Sequence, residues 1–208
     1  MGTRGFITFV HDGVEKTTYN HYDSYPEGLG IGVLYAVREL LGAELPLGEA
    51  AYAPALAELR AGVRDLRVVQ DDTEVTVLDV DALACWTDVL VDRRNADDTP
   101  SWYQLLRGTQ GSVEQILTAG YLLDASDYPR NSLFAEWGYV IDLDAEDLEV
   151  YMGFQDAPHD VGRFAGRETV GNGYYPVKRV AAWPLAELPT EAEFIAAATG
   201  QTLHEDES

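Results

Sequence analysis

An α+β fold is predicted, with an antiparallel sheet of about five or six strands and helices packed on at least one face. Three observations predict it: a β-hairpin opens the chain, a second lies near its far end, and helical periodicity fills much of the interval. The 208 residues, 46% of them apolar, suffice for one sizeable core. Residues 1–200 are accordingly read as a single globular domain, and residues 201–208 as a disordered acidic tail.

Gly5 to Val10 and Lys16 to Tyr22 are β-compatible runs joined across Asp12-Gly13, a pair suited to a type I′ turn because both central residues need positive φ. Tyr25-Pro26-Glu27-Gly28 breaks the second run. Ile31, Leu34, Val37, Leu40 and Leu41 then repeat as one helical face, with Gly42 a stop signal. Leu47 to Val63 reads as a helix interrupted near Pro54, which lacks the amide proton a helix interior uses. Val68 to Leu78 reads as one or two strands, while Asp81 to Val91 fits helix or strand equally.

Thr99-Pro100-Ser101 opens a short helix, and Ser112 opens another that runs to Leu122. The second hairpin joins W-G-Y-V-I-D-L to L-E-V-Y-M-G-F, with Leu148, Val150 and Met152 facing one way and Glu149 and Tyr151 the other. Asp156 to Gly173 is too long for a mere connector and reads as a surface loop. Tyr174 to Trp183 forms a final strand, and Thr190 with Glu193 makes a capping box for a last helix.

The formal charge is −22, with two lysines against twelve arginines. A field of that sign opposes direct binding to nucleic acid or anionic lipid, both of which depend on cations at phosphates. One cysteine, Cys85, excludes an intrachain disulfide and reads as a small core residue. With no apolar leader and no membrane-length apolar window, a cytoplasmic protein is expected.

The opening M-G-T-R-G, the turn Y-N-H-Y-D-S-Y-P-E-G-L-G and the late hairpin E-W-G-Y-V-I-D-L-D-A-E-D-L-E-V-Y-M-G-F resemble a family of actinobacterial, phage and fungal proteins. The resemblance covers both ends of the chain and leaves the middle third unmatched. It implies a phage-related setting and carries no activity with it.

The densest collection of chemically able side chains runs from Tyr19 to Gly32. On an extended strand Tyr19, His21 and Asp23 project to one face, and Asn20 and Tyr22 to the other. His21 with Asp23 suits a base and its orienting carboxylate. Gly28, Gly30 and Gly32 at the mouth of the first helix suit either an anion-holding turn, with Arg4 as partner, or close packing under the sheet.

Asn20, Tyr22, Tyr25, Gly28, Gly30 and Arg4 are thus the expected ligand-binding residues, and His21 and Asp23 the expected catalytic ones. No metal site and no cofactor is expected, because ligand spacings, a Walker loop and a dinucleotide fingerprint are all missing from the sequence. Three functions fit: a non-enzymatic module for a small ligand or protein partner, a hydrolase or transferase built on His21 and Asp23, and an acidic nucleic-acid mimic.

Overall fold

The computed structural model describes residues 2–42, 49–69 and 111–201. The elements expected between residues 70 and 110, with Cys85, Trp86 and Trp102, lie outside the described residues, as does the tail beyond Gln201. The first hairpin pairs β1 (Gly5–His11) with β2 (Val14–Asn20), and its turn places Asp12 and Gly13 at φ of 52° and 70°. That is the doubly positive pair the type I′ turn requires.

A π-helical turn over Pro26–Gly30 leads into α1 (Ile31–Leu40). Helix α2 (Glu49–Asp65) runs through Pro54 without interruption. The proline sits in the second turn and forfeits one bond, to the carbonyl of residue 50. Burial of Leu56, Leu59 and Val63 holds the rest of the helix in place.

The short strand β3 (Arg67–Val69) follows, then α3 (Val113–Ala119), whose Ser112 side chain accepts the Gln115 amide. This helix ends at Gly120, φ 73°, three residues earlier than its apolar pattern suggests, because the left-handed glycine redirects the chain into β4 (Tyr121–Leu123). Strands β3 and β4 pair in parallel as a separate two-stranded sheet. A 3₁₀ turn over Tyr128–Arg130 precedes β5 (Trp137–Asp142) and β6 (Asp147–Met152). Strand β7 (Lys178–Pro184) and α4 (Glu191–Thr199), with its Thr190–Glu193 capping box, are the last elements among the described residues.

The main sheet has five strands in the order β2-β1-β5-β6-β7, so the α+β class holds. Its central pair departs from the expected all-antiparallel arrangement: β1 and β5 run parallel, from Gly5 opposite Trp137 to Val10 opposite Asp142. Two antiparallel units, one hairpin and one three-stranded meander, are joined by a long crossover, and a connection of that length lets the facing strands run the same way.

Helices cover one face. There Ile7, Phe9, Tyr139, Ile141, Leu148 and Val150 pack against Val33, Leu34, Val37, Val63, Ile116 and Phe194. Full burial of each such aliphatic or phenylalanine side chain contributes about 1.5–3 kcal/mol. The opposite face carries a smaller core of Phe6, Val10, Val140 and Tyr151 beneath Ala135, Phe164 and Val177, which irregular segments supply.

Lys16 ties the hairpin to α2. Its Nζ donates to the carbonyls of Val63 (2.8 Å), Arg64 (2.9 Å) and Leu66 (2.5 Å), satisfying acceptors that a helix end leaves open.

Candidate functional site

Strand β2 ends at Asn20, and the chain then folds sharply around that side chain. Asn20 Nδ2 donates to Ser24 Oγ at 2.8 Å and to the Tyr22 carbonyl, forming a side-chain tether across the turn. Asp23 adopts φ 50°, a conformation that a short polar residue tolerates better than most. Ser24 is fully buried, its amide bonded to the Thr3 carbonyl at 3.1 Å and its own carbonyl accepting the Tyr139 hydroxyl at 2.9 Å. Burial, and after it the charge of Glu27, pushes the Tyr139 hydroxyl well above the ordinary tyrosine range, so it stays a donor.

The glycines of this turn serve packing. A Cβ at Gly28 would stand 2.3 Å from the Asp23 carbonyl, and one at Gly30 would stand 2.8 Å from the Tyr139 hydroxyl and 2.9 Å from Phe194. Their amides are engaged: Gly28 and Gly30 both donate to the Tyr25 carbonyl, at 3.0 and 3.3 Å, and Leu29 donates to the Asp23 carbonyl at 2.8 Å. An anion meeting this turn would have to displace bonds already made.

The sheet divides the remaining candidates between its faces. On the helix side, a cavity of about 410 Å³ is lined by Asn20, Tyr22, Asp23, Gly28, Leu29, Gly32 and Gly111. The Asn20 Oδ1 turns toward Gly111, where an added Cβ would come within 3.0 Å of it. Among the described residues neither this oxygen nor the Asp23 carboxylate receives a hydrogen bond. The cavity therefore presents acceptors. The Tyr25 side chain is part-exposed beside Gly28.

On the loop side, His21 Nδ1 meets the Tyr19 hydroxyl at 2.6 Å, and the two rings lie edge to face. Their common face agrees with strand alternation. Among the described residues, no hydrogen bond or ion pair joins His21 to Asp23, because β2 ends at Asn20 and the chain turns through the positive φ of Asp23. Arg4 also lies on this side, its guanidinium 5.6 Å from the centre of the Phe134 ring and its amide bonded to Glu136.

Other chemically able groupings escape the sequence pattern. Asp142 and Glu149 are about 95% buried on the loop face, where Arg163 Nε donates to Glu149 at 2.9 Å and Arg163 Nη2 donates to Asp142. Arg179 donates to the other Glu149 oxygen at 2.5 Å, and Arg167 to Glu15. Burial opposes the charge on Arg163, yet the bonds to Glu149 and Asp142 outweigh it and raise its pKa. Burial pushes the Tyr151 hydroxyl up as well, with Glu149 adding to the effect. Acidic positions on strands buried on both faces were the available signal, since such charges require a cationic partner.

At the far end of β1, Asp144 accepts the amides of Gly13 (2.8 Å) and Asp12 (2.9 Å) and meets His11 Nδ1 at 3.3 Å. The Gly13 amide above all holds the Asp144 carboxyl below its usual range; burial opposes it, and the Asp12 amide and His11 add to the lowering. One ligand atom from each of His11, Asp12 and Asp144 lies within 4.8 Å of the others, a spacing compatible with a cation. No helix among the described residues is long and apolar enough to cross a membrane.

The chain matches no family model, no curated protein and no solved structure. Its chemistry is therefore read from the side chains themselves.

Proposed function

We propose that the protein is a non-enzymatic binding module that holds a small, donor-rich ligand in the cavity at the end of β2. The supporting observation is the pair of unengaged acceptors, Asn20 Oδ1 and the Asp23 carboxylate, in a cavity of about 410 Å³. That volume lies within the range of ordinary ligand sites, about 300–1,000 Å³. A protonated amine suits both acceptors, and the chain's charge of −22 favours a cation over an anion there. The phage-related setting we propose follows from the resemblance alone.

Gly32 supplies the test, because it lines the cavity and a Cβ placed there meets nothing within 4 Å. Gly32→Leu fills the space with a better helix former and should leave folding intact. Native mass spectrometry of protein taken from its source should show a bound small molecule that the variant lacks. Retention of that molecule by Gly32→Leu, or its absence from both proteins, would sink the proposal.

A hydrolase or transferase is the second reading, and one observation favours it. A His–carboxylate contact is formed at His11 and Asp144, with Asp12 alongside, although not at His21 and Asp23. Against it, the Asp144 oxygens are already taken by turn amides, and His11 lines neither the cavity at β2 nor those beside α4 and at Asp124 to Asn131. Calorimetric titration with Zn²⁺ or Mn²⁺ separates the two: saturable binding lost in His11→Ala supports a metal-assisted reaction, and no heat removes it. The acidic mimic has the least support, since Glu15, Asp142 and Glu149 turn onto arginines instead of lining an outer row.

A further inference from the structure

The register of the first hairpin brings two of the expected site residues together on the face opposite the cavity. Gly5 and Asn20 form the last ladder pair, so Arg4 and His21 are the residues that flank it, one on each side of the hairpin's open end. Their contacts place both on the loop face, Arg4 against Phe134 and His21 against Tyr19. Arg4 lies two residues before Phe6, and His21 two residues after Tyr19, which is the ladder partner of Phe6.

Tyr128 links the pair. Its ring lies edge to face with Tyr19 at 5.0 Å, and its hydroxyl donates to the carbonyl of Phe134, the residue whose ring carries the Arg4 guanidinium.

Both side chains retain donors. Among the described residues the Arg4 guanidinium has no hydrogen-bond acceptor and no ion pair, only the Phe134 ring. This is unusual in a chain with 36 acidic residues, whose other arginines on this face, Arg130, Arg163, Arg167 and Arg179, are all bonded to carboxylates. The Tyr19 hydroxyl meets His21 Nδ1 at 2.6 Å; in the tautomer where that hydroxyl is the donor, the ring proton lies on Nε2, for which the described residues offer no acceptor. Glu136 is the nearby carboxylate. Its Oε1 accepts the Arg4 amide at 3.2 Å, and it makes no ion pair with the guanidinium among the described residues.

We infer that Arg4 and His21 form an oxyanion-binding site that takes a phosphate or carboxylate group at this end of the sheet. The guanidinium fork offers two parallel N–H donors to one anion, and the imidazole Nε2–H offers a third from the neighbouring strand. Tyr19 fixes the imidazole orientation, and Phe134 supports the planar guanidinium. The site is independent of the cavity beyond the sheet: the cavity presents acceptors, and this pair presents donors.

NMR titration of the full chain at constant ionic strength tests the site, with inorganic phosphate in one arm and acetate in the other. The His21 ring and Arg4 Nε–H signals are followed, and His11 and His159 act as internal controls. Saturable shifts at His21 and Arg4 alone are expected, with the apparent affinity at least tenfold weaker in Arg4→Gln and partly kept in Arg4→Lys.

Saturation by phosphate only assigns a phosphoryl ligand, and saturation by both anions assigns the oxyanion chemistry they share. Linear shifts, equal shifts at His11 and His159, or an Arg4→Gln response matching the wild type would overturn the site. Gly32→Leu should leave this titration unchanged, so failure here and failure of the cavity proposal are distinguishable.

Discussion

The two faces of the sheet are held by different physics. On the helix face, apolar stripes of α1, α2, α3 and α4 meet apolar strand positions, and burial supplies the cohesion. On the loop face the covering segments lack a repeating stripe, and Arg163, Arg179 and Arg167 fasten them to Glu149, Asp142 and Glu15. A helix brings a ready-made apolar surface. A loop must be pinned point by point, and buried ionic contacts are directional enough to do so.

The largest effect expected from breaking this contrast is at Arg163. Arg163→Ala leaves Asp142 and Glu149 buried with reduced compensation and should lower the unfolding free energy by about 3–5 kcal/mol in chemical denaturation. A loss below 1 kcal/mol would mean that the loop face rests on its apolar core after all.

The next largest effect lies at the junction where the two faces meet. Gly28→Ala sets a Cβ 2.3 Å from the Asp23 carbonyl, a backbone atom that cannot swing away. A loss of about 1–3 kcal/mol is expected from such overpacking, seen as a lower thermal midpoint. Gly32→Leu, four residues further on in α1, should show no comparable loss.

Two smaller effects sharpen the electrostatic side and carry opposite signs. Burial, then Glu149 and Asp142, raises the Asp147 carboxyl above its ordinary value, so the ionised form weakens the fold. That penalty is absent below the unfolded pKa of about 3.9, grows as pH rises from there and is complete once pH has passed the folded value. Asp147→Asn should therefore stabilise the protein at pH 7, with the gain gone at pH 3. Asp144 behaves in reverse. The Gly13 amide first of all depresses its pKa, so its contribution is complete above about pH 4 and lost as pH falls through the folded value. Asp144→Asn should flatten the acid limb of the stability profile measured by urea titration between pH 5 and 2.

Much of the fold was legible because its signals are local. Asp12-Gly13, the Thr190–Glu193 box and the alternation of Leu148, Glu149, Val150 and Tyr151 each act within a few residues. The parallel β1–β5 pairing was not legible, since it depends on how a long crossover closes and nothing in either strand encodes direction.

The candidate site was half legible for the same reason. Strand alternation correctly put Tyr19 and His21 on one side and Asn20 on the other, but the positive φ at Asp23 ends the alternation one turn too soon for a His21–Asp23 dyad. Arg4 was expected at the glycine turn, and its guanidinium lies instead against the Phe134 ring on the loop face. Gly111 joins the cavity from a distant segment, and no sequence pattern announces such a neighbour.

The parallel pairing of β1 with β5 also has a consequence for the chain as it is made. The first hairpin is complete once Asn20 has emerged, yet the partner of β1 begins at Trp137. At a synthesis rate of roughly 5–20 residues per second, about 6–25 s pass before that partner exists. Throughout the interval, the inner strand of the hairpin presents Phe6, Ile7, Phe9 and Val10 on an unpaired hydrogen-bonding edge. The nascent chain is thus exposed to mispairing at β1 until β5 emerges, and a chaperone that shields the hairpin from Gly5 to Asn20 would act where the protection is needed.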